Sequence, residues 1–327
     1  MIDVAQVASA HEAMEEEYDS IEDLWYPHLF NEIHRFMLAH LPHDPGARAL
    51  DVGCGTGFQG LFVARAGYAV RGFDVAGRLV ESARRKVDGP RESDELPWPG
   101  YRTTLRTFAD DQAELVVMAD KIRGEAPYFA PVFELGDATD PASYRSPGYS
   151  VITCCGSVLS FIDDHEQVLA HMAEALRPGG LLFLEVEQRV NLDLIWPVVD
   201  LLMGCTLEYE QSLGESLGNL FAKPGRSLRV NYPFPLANGS EVTLPIWLFS
   251  VGHLQRVFSR LGLEIVDRAG IHAVTNVVPS TLLHRTSPPR SRVRFVERLA
   301  RRERTLARRW PFWRLGCSAI FALRRKQ

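Results

Sequence analysis

Residues 49–60 read Ala-Leu-Asp-Val-Gly-Cys-Gly-Thr-Gly-Phe-Gln-Gly. Ala49 to Val52 has the apolar character of the end of a buried strand, and Gly53, Gly55 and Gly57 follow at every second position. Gln59 to Ala66 reads as a helix, stopped by Gly67. A strand that turns through glycines into a helix N-terminus collects bare backbone N–H groups and the positive end of the helix dipole at one point. Missing Cβ atoms let a ligand approach the backbone closely. The chain is therefore constrained to an α/β fold with a nucleotide- or anion-binding corner.

Spacing narrows the ligand. A dinucleotide fold uses G-x-G-x-x-G. Here the run is G-x-G-x-G, with Phe58 where the third dinucleotide glycine would stand and Asp51 two residues before Gly53. The stretch resembles motif I of class I S-adenosylmethionine-dependent methyltransferases of the small-molecule type. That resemblance implies a Rossmann-like seven-stranded sheet with helices on both faces. It also implies S-adenosyl-L-methionine as cofactor, S-adenosyl-L-homocysteine as product, and contacts from Asp51, Gly53, Cys54, Gly55, Gly57 and Phe58.

Further stretches match in the same order. Tyr68 to Phe73 is the second strand, and Asp74-Val75 stands at its end, where an acidic residue can accept from both hydroxyls of a ribose. Val132 to Gly136 is the third strand. Asp137-Ala138 after it resembles the family's adenine clamp; the alternative is that Asp137 caps the turn leading to Pro141. Tyr149 to Cys155 is the fourth strand, and Cys154-Cys155-Gly156-Ser157-Val158-Leu159 resembles motif IV beside the transferring methyl, with Ser150 where an acidic residue is common. Arg177-Pro178-Gly179-Gly180 leads into the fifth strand, Leu181 to Val186. Tyr18-Asp19 and Trp25-Tyr26 resemble an N-terminal cap whose aromatic closes over the cofactor, although core packing explains such residues equally well.

Five segments follow. Residues 1–45 form a helical cap. Residues 46–187 and 250–286 form the cofactor-binding core, its last two strands supplied by Leu263 to Arg268 and Ile271 to Val278. Within it, 88–131 is an insertion whose helix, Thr103 to Ile122, reads as a lid, an oligomer arm or a helix laid on the sheet edge. Residues 188–249 form a substrate cap, with a hairpin around Asn238-Gly239 and a helix from Leu192 to Met203 broken at Pro197. Residues 287–327 are a basic amphipathic tail.

Methyl transfer from a sulfonium is an in-line displacement of an already activated group, so positioning and desolvation dominate. Candidate general bases are Glu187 after the fifth strand and His165 after the fourth, with His253 and His28 entering from the caps. Trp25, Tyr26, Ser157 and Trp247 are the candidate substrate contacts. Trp196, Tyr232, Phe234 and Trp247 suggest an apolar, lipophilic acceptor. The sequence shows no His/Asp/Glu cluster at metal-ligand spacing. The five cysteines include no C-x-x-C pair, so reduced thiols are expected. Nucleic acid is disfavoured as acceptor, because the fourth strand lacks both Asn/Asp-Pro-Pro-Tyr and Pro-Cys. The competing classes are a dinucleotide-dependent oxidoreductase and a non-catalytic S-adenosylmethionine-binding regulatory protein. The acceptor atom and the oligomeric state stay open.

The net charge of −5 conceals an asymmetry. Residues 285–327 carry 14 basic and two acidic residues, leaving the rest of the chain at a net −17. No apolar run reaches the roughly 20 residues of a membrane-spanning helix, and the N-terminus lacks a secretory pattern, so a cytoplasmic location is expected. For the tail, the arginine-rich stretch with Trp310, Phe312 and Trp313, then apolar Leu315 to Leu323, suggests peripheral contact of 290–327 with an anionic membrane. Docking on the protein's own acidic body is the alternative.

Overall fold

The computed structural model describes residues 2–20, 22–89, 96–145, 147–204, 206–207, 209, 214, 217–218, 227–235 and 241–327. Three helices open the chain: α1 (Val4–Glu12), α2 (Glu15–Tyr18) and α3 (Tyr26–Leu38). β1 (Arg48–Val52) turns through the glycines into α4 (Phe58–Arg65) and β2 (Ala69–Asp74), then α5 (Gly77–Asp88). After the insertion helix α6 (Arg106–Arg123) come β3 (Val132–Leu135), β4 (Tyr149–Cys154), α7 (His165–Ala175) and β5 (Leu176–Glu187). The cap contains α8 (Trp196–Leu202) and a hairpin of β6 (Leu228–Pro235) and β7 (Glu241–Leu248). Its Asn238-Gly239 turn lies outside the described residues. The chain closes with α9 (Val251–Arg260), β8 (Leu263–Ile271), α10 (Ser280–Leu283), α11 (Arg290–Leu306) and β9 (Ser318–Arg325).

Seven strands form one sheet in the order β3-β2-β1-β4-β5-β9-β8. The first five are parallel; β9 runs antiparallel between β5 and β8. Parallel strands need helical crossovers, which cover both faces. Two apolar layers result, one including Phe36, Phe62 and Phe183, the other Ile152, Leu184 and Phe258. The expected seven-stranded α/β fold is present.

The last strand corrects the sequence reading. Ile271 to Val278 is no strand: β8 ends at Ile271, and Thr275–Val277 is a single 3-10 turn. The seventh strand comes instead from the apolar end of the basic tail, so 287–327 is no detached appendage. Ser318 to Leu323 are all buried. A central strand covered on both faces loses the alternation that marks a half-exposed one, which is why this stretch resembled a membrane-facing segment.

A buried carboxylate fastens α11 to the body. Glu303 Oε1 accepts from His28 Nε2 (2.9 Å) and the His272 N–H (2.8 Å); Oε2 accepts from the N–H groups of Val274 and Thr275 and from the Thr275 hydroxyl. Burial alone would raise this carboxyl, but His28 and these donors hold it at about 2. His28 is thereby committed to structure rather than to chemistry. Arg304 adds ion pairs to Glu32 and Asp111.

The helix of the insertion lies on the body. α6 packs on α3 and α4, with Leu115 and Ala119 in the core. Pro197 sits at the start of α8 and does not interrupt it. Asp164 precedes α7 without a side-chain cap bond; Asp163 instead accepts from the Ile2 N–H and from Trp247 Nε1.

A chain ending at Pro289 lacks a central strand and is expected to show no cooperative unfolding by circular dichroism. Glu303→Gln should cost about 3 kcal/mol in urea unfolding at pH 7, because removing one partner strands buried groups. The Glu303 carboxyl lies below its ordinary 4.5 in the folded state, so its contribution is present above that pH and lost as pH falls towards about 2. The gap between wild type and variant should therefore narrow over that interval.

Candidate active site

The strand ends β1, β2, β4 and β5 and the turn after β3 converge at one edge of the sheet. Gly53, Gly55 and Gly57 all have positive φ, at 70°, 50° and 91°. A Cβ on Gly53 would come within 2.4 Å of Val158, whereas one on Gly55 would meet nothing within 4 Å. The turn is thus packed from below and open above Gly55, the arrangement a nucleotide cofactor needs. Asp74 Oδ2 accepts from Gly55 N–H (2.9 Å) and Oδ1 from Ala76 N–H (2.8 Å). Burial raises its carboxyl, and these bonds oppose the shift. Val75 beside it is half-buried.

Asp51 is a strut. Its Oδ2 accepts from Gly60 N–H (2.8 Å) and its Oδ1 from the Thr153 hydroxyl (2.6 Å), joining β1, α4 and β4. Burial pushes it up to about 7. Cys54, Cys154 and Cys155 are buried, and burial raises each thiol; only their backbone can line the site. Phe58 also points into the core, edge-on to Phe30 at 4.9 Å. Asp137 Oδ1 accepts from the N–H and hydroxyl of Thr139, so this oxygen fixes its own turn. The carbonyl of Ala138 is held by the Tyr144 hydroxyl (2.9 Å).

The residues after β4 and at the end of β5 form the second half. Gly156 and Ser157 both have positive φ, which turns their N–H groups onto Glu185 Oε2 at 3.0 and 2.7 Å. The Ser157 hydroxyl donates to Glu187 Oε1 (2.7 Å). Burial first, then the neighbouring Glu185 charge, pushes Glu187 up to about 8; Ser157 and Ser318 act against the rise. Ser318 opposes Glu187 across β5–β9.

Two covers meet above these carboxylates. Tyr18 lies near Asp74 and Tyr232, and Tyr26 hydrogen-bonds Tyr232 near Glu187. Burial raises all three phenols, which stay neutral donors. The N-terminal segment is latched to the glycine turn: Asp19 Oδ1 accepts from the Thr56 hydroxyl (2.9 Å) and Lys86 Nζ (2.7 Å). His11 of α1 approaches Asp74 and lies edge-on to Phe161 at 5.1 Å.

Not every candidate arrives here. Trp25 stacks on His272 (3.8 Å, 13°) in a separate apolar cluster, the core role of an aromatic cap residue. Trp247 packs edge-on to His165 (5.4 Å) at the base of the hairpin, and His165 packs on Phe249 rather than facing Glu187. Trp196 donates to the Asn276 carbonyl (2.9 Å). The Phe234 side chain lies outside the described residues. Conversely, Glu185, Ser318 and His11 escaped sequence reasoning. Glu185 and Glu187 share one face of β5 at a spacing of two, the only local signal for this trio.

A model of the methyltransferase domain matches residues 25–268. The chain belongs to the methyltransferase domain family. Its sheet order and glycine turn are those of the class I, S-adenosylmethionine-dependent methyltransferase fold. The ubiquinone biosynthesis O-methyltransferase of Xanthomonas campestris pv. campestris (strain B100) is 26% identical over 162 residues, 50% of this chain and 52% of the relative. The methyltransferase thus spans about half the length of the curated relatives it matches. Among solved structures, the CcbJ methyltransferase from Streptomyces caelestis aligns over 97% of this chain and 98% of its own, with 14% identity and a TM-score of 0.50. An S-adenosylmethionine-dependent methyltransferase from Mesorhizobium loti aligns over 90% and 96%, with 15% identity and a TM-score of 0.45.

The methyltransferase variant Asp74→Ala should bind S-adenosylmethionine at least about tenfold more weakly by calorimetry, since a charge-assisted hydrogen bond is worth about 1.5–3 kcal/mol. Undiminished affinity would remove Asp74 from the cofactor site.

Proposed function

We propose that the protein O-methylates a small hydroxylated acceptor, phenolic or enolic, with Glu187 as the general base. The carrying observation is the position of Glu187. It is bound by Ser157 of the motif IV turn, lies beside Tyr26 and Tyr232, and is pushed up to about 8. A base poised near the operating pH combines availability with driving force for proton removal. That the curated relatives are O-methyltransferases supports oxygen as the acceptor atom.

In this reading the glycine turn, Asp74 and Asp137 hold S-adenosylmethionine, which supplies the activated methyl group. Tyr18 and α1 close over it and exclude water. Tyr26 and Tyr232 orient the acceptor through neutral hydroxyls, and Glu187 takes its proton as the new C–O bond forms. His165 has no part in this chemistry.

Glu187→Gln should lower kcat by about 10²–10⁴. Because the base acts when ionised, wild-type activity should climb as pH rises through about 8. The variant should lose that limb while keeping cofactor affinity. A variant with an unchanged pH profile excludes Glu187 as the base.

A second reading concerns the outer face of α11 and the turn that follows it. Arg290, Arg294, Arg298, Arg301, Arg302 and Arg309 are exposed and form no ion pair among the described residues. Phe295 and Trp310 beside them are 47% and 75% exposed. No described helix is long and apolar enough to cross a membrane. This stripe suits peripheral binding to an anionic lipid surface, each arginine contributing about 1 kcal/mol. Reversing Arg294, Arg298 and Arg302 to Glu should cut co-sedimentation with phosphatidylglycerol vesicles about 100-fold or more at low salt. Equal partitioning of wild type and variant rules it out.

A further inference from the structure

The fold assembles a cluster that the sequence spacing does not show. Glu166 and His165 open α7, and His253 stands in the first turn of α9, immediately beyond the hairpin. One donor atom from each of the three lies within 4.8 Å of the other two. His253 Nε2 is 3.2 Å from Glu166 Oε1, yet the two make no aligned hydrogen bond. Two ligands of a tetrahedral ion with bonds of about 2.0–2.1 Å stand roughly 3.3 Å apart. The His165 residue is 9% exposed, and its Nδ1 is buried without a hydrogen bond of regular geometry.

We infer that His165, Glu166 and His253 form a binding site for a divalent transition-metal ion, zinc foremost. Two imidazole nitrogens and one carboxylate oxygen are the donor set zinc prefers, with a fourth position left for water. Magnesium and calcium would demand more oxygen ligands. The site is separate from Glu187 and the glycine turn. It joins the start of α7, which follows the motif IV loop, to the start of α9, which follows β7. A metal there pins the base of the substrate hairpin to the methyltransferase core. The nearby rings of Trp247 and Phe249, 5.4 and 5.0 Å from His165, hold that imidazole in place. Arg260 donates to Glu166 Oε2 (2.6 Å) and leaves Oε1 for the ion. Its charge opposes the metal and sets the affinity below that of a dedicated structural zinc site.

The experiment uses full-length protein stripped with chelator and dialysed. Zinc chloride titrated by calorimetry should bind once per chain, and cobalt(II) should give visible d–d absorption. Zinc should also raise the unfolding temperature. His253→Ala and Glu166→Gln are safe variants, because these side chains are 24% and 45% exposed. Each should weaken zinc at least about tenfold, the loss typical even of outer-shell partners. Arg260→Ala should tighten it. If His253→Ala and Glu166→Gln bind zinc as wild type does, or wild type binds none, the trio is an ion-pair cluster and the site does not exist.

Discussion

The active-site end of this methyltransferase depends on its last strand. β9 runs antiparallel between β5 and β8, and its register sets Ile320 opposite Glu185 and Ser318 opposite Glu187. Those two carboxylates in turn hold the motif IV turn, Glu185 through two backbone N–H groups and Glu187 through the Ser157 hydroxyl. The positive φ of Ser157 is tolerated because these bonds offset its strain, while Gly156 adopts its own without cost. β9 therefore sets the surroundings of the Gly156-Ser157 turn.

Burial then distinguishes the carboxylates chemically. Asp51, Asp74, Glu185 and Glu187 all lie at one edge of the sheet, and burial raises every one of them. The donors differ. Glu185 is tied by backbone groups, whereas Glu187 is bound by the Ser157 hydroxyl and lies near Tyr26 and Tyr232. Glu303, also buried, is forced the other way by His28 and four further donors. Buried carboxylates thus differ in charge preference according to what surrounds them, and the cost of the buried acids is met by the packing of the seven-stranded sheet.

Local chemistry was legible wherever it was local. The glycine turn, Asp74 at the end of β2 and the Gly156-Ser157 turn each depend on residues adjacent in the chain, so their backbone requirements are written in order. The places of Trp25 and Trp247 are not legible in the sequence, because an aromatic residue looks the same whether it lines a pocket or fills a core; the structure sets Trp25 against His272 and Trp247 against His165. The end of the tail hides its strand for a related reason. Ser318 to Leu323 is apolar throughout because both of its faces are covered, and a strand of that kind carries no periodicity to separate it from a lipid-facing segment.

What the sequence determined by itself is the fold family, the cofactor and the places of the first five strands along the chain, since glycine spacing and strand-end acids act through backbone geometry within a few residues. Tertiary structure decided the identity of the seventh strand, the pairing of Glu303 with His28 across 275 positions, and the meeting of Tyr18, Tyr26 and Tyr232 over Glu187. It also brought His253 to His165 and Glu166. The physical reason is common to all of these. Each depends on which surfaces the sheet leaves to be covered, and that is fixed only when strands distant in sequence have found their neighbours.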